Sequence, residues 1–70
     1  MRIDNAPVSD NVQRILQESG YKQCAIARKA GYSRQVFSNM INNKRVIRPK
    51  DVQRIASALD VEPEELFRRN

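Results

Sequence analysis

The chain has no histidine and no tryptophan, a single cysteine, two glycines and three prolines in 70 residues. One thiol without histidine cannot assemble the usual tetrahedral zinc ligand set, and an intramolecular disulfide is excluded. The missing histidine also removes the commonest general base. There is no glycine-rich phosphate loop, and carboxylates cluster only in the terminal run Glu62, Pro63, Glu64, Glu65, so enzyme mechanisms lack their parts. No cofactor, metal or small-molecule ligand is expected. Nothing approaches the run of about 20 apolar residues that crosses a bilayer. The N-terminal MRIDNAPVSD has no greasy core of a signal peptide. The expectation is a cytoplasmic protein that makes no membrane contact.

Acid is scarce in one part of the chain. Between Lys22 and Arg54 stand nine basic residues and one acid, Asp51, a local balance of +8; the rest carries four basic and seven acidic residues, or −3, for the overall +5. A field polarised in this way attracts a polyanion to one region and repels it from another. Taken alone, a basic face is as readily a solvated surface as a nucleic-acid footprint.

A chain of this length forms one domain, with stability on the order of 5 kcal/mol. Its apolar residues recur at three and four, not at two, which predicts an all-α fold. Asp10 and Gln13 resemble a capping box, so a first helix is expected from about Asn11 to Ser19 with Val12, Ile15 and Leu16 inward, leaving residues 1–9 as an N-terminal arm and residues 10–70 as the domain. A second helix is expected from about Gln23 to Ala30, stopped by Gly31. Ser33 caps a third, from about Arg34 to Asn42, with Phe37, Met40 and Ile41 inward and Asn43 as a left-handed terminator. Pro49 opens a fourth helix carrying Val52, Ile55, Ala56 and Leu59 at i, i+3, i+4 and i+7. In VEPEELF, the carboxylates suit a positive helix N-terminus, while Leu66 and Phe67 are expected to close over the core.

The segment QCAIARKAGYSRQVFSNMINNKR joins the second and third helices by GYS alone. So short a connection forces a steep crossing and a close approach of the two backbones. Counting Gln23 as position one, Ala27 falls at five, Gly31 at nine, and Ile26, Ala30, Tyr32, Phe37 and Met40 at four, eight, ten, fifteen and eighteen. These seven positions together describe a helix-turn-helix. The outward stripe of the third helix is Arg34, Gln35, Ser38, Asn39 and Asn42. It contains no acid, although Glu would serve both helix propensity and solubility better than Asn or Ser. Arg on guanine, and Asn or Gln on adenine, are the pairings that read base edges in the major groove.

These residues, followed by RPKDVQRIASALDVEPEELF, resemble the Cro/repressor-type helix-turn-helix (XRE) family over about residues 10 to 67. The resemblance implies a five-helix lambda-repressor-like domain whose third helix enters the major groove of double-stranded DNA. It also implies a transcriptional regulator, a phage or mobile-element repressor, that binds a two-fold operator as a homodimer, with pairing confined to DNA as an option. Carried over, Gln23 is a phosphate ligand that buttresses the recognition helix. Arg34, Gln35 and Asn39 are base readers, with Ser33 and Ser38 assisting. Asn43, Lys44, Arg45, Arg48 and Lys50 form the backbone and minor-groove set. Lys22 stands where the family often has a capping Thr, and Asn43 and Asp60 stand where Gly is common.

The remaining features have plainer readings. Cys24, with no resolving cysteine, is expected to be an inert small hydrophobe, and Tyr21 and Tyr32 are expected to anchor the core. The alternative function is a protein-interaction module of the same fold, an antitoxin-like partner binder whose DNA binding is secondary.

Overall fold

The computed structural model describes residues 4–68, among which there are five helices and no strand: α1 (Val8–Ser19), α2 (Gln23–Ala30), α3 (Arg34–Ile41), α4 (Pro49–Leu59) and α5 (Pro63–Leu66). α2 packs on α3 and α4, α1 packs on α3, and the single-turn α5 bridges α1 and α4. The apolar stripes converge on one core in which Val12, Ala27, Phe37, Ile55 and Leu66 are wholly buried. Full burial of a side chain such as Phe37 contributes about 1.5–3 kcal/mol. That is a large share of the stability of so small a domain.

The helix ends follow from backbone chemistry. Gly31 ends α2 at φ 91°, where a side chain would be strained even though an added Cβ would meet no atom within 4 Å. The conformation, and not the space, requires glycine there. Asn43 at φ 61° and Asp60 at φ 60° lie instead in the left-handed well that Asn and Asp tolerate. Both can therefore stand where glycine is the common choice. Ser33 caps α3 by accepting the Val36 N–H at 3.2 Å, and Pro49 opens α4, its missing N–H being one that no helical partner would have met.

Four expectations need correcting. α1 begins at Val8, not near Asn11, so Val8 and Ser9 are helical and not part of an arm. Asp10 lies within the first turn, and Gln13 does not reach back to cap: its Nε2 donates to the Ile41 carbonyl across the α1–α3 contact. The cause is that Val8, Asn11, Val12 and Ile15 form one stripe at i, i+3, i+4 and i+7, which extends the packed face toward the N-terminus. α3 closes at Ile41, with Asn42 as its cap. Tyr21 is 48% exposed and Phe67 54% exposed, so neither anchors the core, whereas Tyr32 packs partly against it. Cys24 is exposed rather than packed.

Candidate nucleic-acid interface

The α2–α3 connection is built from short-range bonds. The Tyr32 N–H donates to the Ala27 carbonyl at 2.8 Å and the Phe37 N–H to the Ser33 carbonyl at 3.0 Å. These bonds, with the Gly31 corner, fix the rotation of α3 about its axis. Phe37, Met40 and Ile41 are buried, so Arg34, Gln35, Ser38, Asn39 and Asn42 are left on the outer side.

That outer face is internally organised. Gln35 Nε2 donates to Asn39 Oδ1 at 3.1 Å. The pairing leaves a Gln35 oxygen and the Asn39 amide hydrogens to face outward as acceptor and donors. Asn42 turns its amide back on the helix, donating to the Ser38 carbonyl at 2.8 Å and to Ser38 Oγ at 3.2 Å. Asn42 therefore spends its donors on closing α3. Arg34 and Gln35 are exposed, and Ser38 and Asn39 are half-buried. No acidic side chain belongs to α3 or to its flanking turns.

Past α3, the Lys44 and Arg45 N–H groups both donate to the Asn39 carbonyl, at 2.8 and 3.1 Å, which curls the chain back under the helix end. Lys44, Arg45, Arg48 and Lys50 are all exposed, and Arg45, Arg48 and Lys50 line one small surface hollow with Asp51. Among the described residues the only ion pair is Arg14–Glu18 in α1. No cation around α3 is held in an ion pair with a carboxylate among the described residues.

Asp51, the one acid in the basic region, is committed internally. Its Oδ1 accepts the Tyr32 hydroxyl at 2.5 Å and its Oδ2 accepts the Arg48 N–H at 3.0 Å. Burial pushes its carboxyl upward, but the bonds from Tyr32 and Arg48 and the charges of Arg54 and Arg45 outweigh that and hold it below its ordinary value of 3.8. Burial, with the bond to Asp51, raises the Tyr32 hydroxyl. Arg54 sits over the Tyr32 ring at 5.7 Å from its centroid, within cation–π range. Asp51 thus ties the turn before α3 to the start of α4.

Gln23 is half-buried at the first position of α2 and shares a groove with Gln13, Gln17, Tyr21, Ile41 and Asn42. Lys22 leaves the N-terminus of α2 without a side-chain cap, so the first N–H groups of that helix have no side-chain partner there. Asn43 differs from its expected surroundings. Its Oδ1 accepts from the Asn5 N–H at 3.1 Å and from Ser9 Oγ at 3.0 Å, which turns that oxygen inward.

Three buried polar residues escape sequence reasoning. Asn5, Ser9 and Asn11 are buried, and Asn11 Nδ2 donates to the Leu66 and Arg68 carbonyls at 2.8 and 2.7 Å. Asn11 carries a signal, since it occupies a core position on the α1 stripe, where a polar residue needs partners. Asn5 carries none.

Comparison with known proteins agrees with this geometry. A protein-family profile described as Helix-turn-helix matches residues 12–66. No curated protein matches the chain by sequence. Among solved structures, the restriction-modification controller protein C.AhdI from Aeromonas hydrophila superposes with a TM-score of 0.82 at 25% identity, over 91% of this chain and 93% of that one. A hypothetical transcription factor, NHTF from Neisseria, superposes with a TM-score of 0.83 at 22% identity, over 97% of this chain and 83% of that one. The five-helix architecture is thus the lambda-repressor-like one.

Proposed function

The chain belongs to the XRE-type helix-turn-helix family and is a DNA-binding transcriptional regulator, not an enzyme; from that premise we propose that it is a repressor, of the kind phages and mobile elements carry, which reads a two-fold operator with α3. The observation that carries this reading is the acid-free outer face of α3 with its Gln35–Asn39 amide pair. Arg34, Gln35, Ser38 and Asn39 contact base edges. Gln23, Ser33, Asn43, Lys44, Arg45, Arg48 and Lys50 hold the phosphate backbone, with Arg48 or Lys50 able to enter a narrow A·T-rich minor groove.

Pairing on DNA follows from size. A helix of eight residues spans about 12 Å and covers only a few base pairs, too few for useful selectivity. The domain is 30 Å in its longest dimension, so two copies side by side can set their recognition helices about 34 Å apart, one helical turn of DNA. Leu66 is sealed in the core and cannot serve the contact; Phe67, exposed beside a groove of about 310 Å³ that Val46 and Pro7 also line, is the side chain we assign to it. A dimer across both half-sites blocks access to the duplex, which favours repression.

The test is selection of bound duplexes from a random pool. Recovery of one motif repeated with two-fold symmetry at a spacing of about 34 Å is expected. A recovered pool with no shared sequence would overturn the reading.

A further inference from the structure

Asn5 is 8% exposed, and its bonds reach far along the chain. Its Nδ2 donates to the Met40 carbonyl at 2.8 Å and to the Arg45 carbonyl at 2.7 Å, and its Oδ1 accepts the Ile47 N–H at 3.1 Å. Its own N–H donates to Asn43 Oδ1, which also accepts the Ser9 hydroxyl. Both amide hydrogens and the oxygen of the side chain are thereby engaged, and each partner lies in the last turn of α3 or in the loop that follows it.

We propose that Asn5 is a positioning residue for DNA binding: it holds the α3–α4 loop in the shape that presents Lys44, Arg45 and Arg48 to the phosphate backbone. The inference rests on the DNA-binding reading above. The backbone of Arg45 shows how the hold works. Its N–H is bound to the Asn39 carbonyl and its C=O to Asn5; with both polar groups turned inward, the side chain is directed out to solvent, where it is exposed. The two anchors differ in kind. The Asn39 carbonyl belongs to α3 itself, whereas Asn5 lies before α1. Without Asn5, the Met40 and Arg45 carbonyls and the Ile47 N–H lose their partners, and the loop must be ordered at the moment of binding.

Asn5→Leu tests this, because it keeps roughly the shape, adds no charge and removes every side-chain bond. The readout is the dependence of DNA affinity on salt, whose slope falls by about 0.9 for each phosphate that is no longer neutralised. Asn5→Leu is expected to melt cooperatively, to keep the base preferences of the wild type, and to show a slope reduced by at least that amount. Arg45→Ala should then lower the slope less in the Asn5→Leu background than in the wild type. A folded Asn5→Leu protein with the wild-type slope, or losses that simply add, would overturn the proposal. Should Asn5→Leu fail to fold, Asn5→Ala decides. It removes the same side-chain bonds to Met40, Arg45 and Ile47 without having to seat a branched apolar side chain; a lowered slope supports the proposal and an unchanged slope overturns it. A wild-type protein that binds all duplexes alike would sink the operator reading instead, and the two failures are thereby distinguishable.

Discussion

The two connections on either side of α3 are held in opposite ways. The backbone of the turn from α2 into α3 is fixed by near neighbours, namely the left-handed Gly31, the Ser33 cap and a Tyr32 N–H that reaches back five residues, with the Tyr32 hydroxyl adding one tie to Asp51 of α4. The loop from α3 to α4 is also hung from Asn39, but its shape depends on Asn5, 35 to 42 residues away in sequence. The first connection aims the outer face of α3, which we propose reads bases, and the second aims the exposed cations of the loop. Local bonds form at little loop-closure cost and tolerate change elsewhere in the chain, whereas long-range bonds hold only while the whole domain is folded. On the proposed function, selectivity and affinity for the DNA backbone would draw on different parts of the structure.

The harshest way to break the contrast is to remove what both connections share. Phe37 is wholly buried under α3, and Phe37→Ala is expected to cost about 3–5 kcal/mol. A domain with stability on the order of 5 kcal/mol should then show little or no cooperative melt by circular dichroism. Retention of the wild-type melt would mean that α3 turns some other face toward the core.

Next in size are the residues proposed to read bases. Arg34→Ala, Gln35→Ala or Asn39→Ala should each reduce discrimination by about 1–3 kcal/mol at one base position, with affinity for unrelated duplexes nearly unchanged. Titration against matched and single-mismatch duplexes gives the answer. Equal losses on every sequence would show that α3 does not read bases.

Gly31→Ala sharpens the local side of the comparison. A side chain at φ 91° is expected to cost about 1–2 kcal/mol, whereas Asp60→Gly, at φ 60° in the tolerated well, should change stability by much less. Urea denaturation of the pair measures the difference, and equal costs would refute the conformational account of these corners. Ser33→Ala removes the α3 cap and is expected to cost about 1 kcal/mol in the same assay.

The smallest effect concerns Tyr32 and Asp51. Asp51 titrates below its ordinary 3.8 in the folded protein, so the stability it contributes is complete above that value and is lost as pH falls through the lower native one. Tyr32 titrates above its ordinary 10.0, so its contribution is complete below 10.0 and is lost as pH rises through the native value. The stability difference between wild type and Tyr32→Phe should therefore be flat from about pH 5 to pH 9 and shrink at both ends. A difference that persists unchanged to either extreme would place the effect in packing and not in the hydrogen bond.

What is legible in the chain follows the same division. α2, the Gly31 corner, the Ser33 cap, the inward Phe37 and the start of α4 at Pro49 are each determined by neighbours within a few residues, and spacing alone exposes them. The start of α1 is misread from sequence because Asp10 and Gln13 satisfy a local capping rule while the packed stripe continues to Val8. Tyr21 and Phe67 are misread because an aromatic at a helix end is equally compatible with either side of the surface. Asn5 is invisible, since nothing near it in sequence distinguishes a buried amide from a solvated one. The outward residues of α3 can be named because they are the complement of a recognisable core stripe.

The Gln35–Asn39 bond has a consequence for how this family member can acquire a new target. Two amides joined by a hydrogen bond do not vary independently: replacing Gln35 by an apolar residue also frees the Asn39 oxygen, and so alters what the second position presents. In a library randomised at both sites, sequence preferences should be strongly epistatic, with functional variants falling into matched pairs and few single-step paths between them.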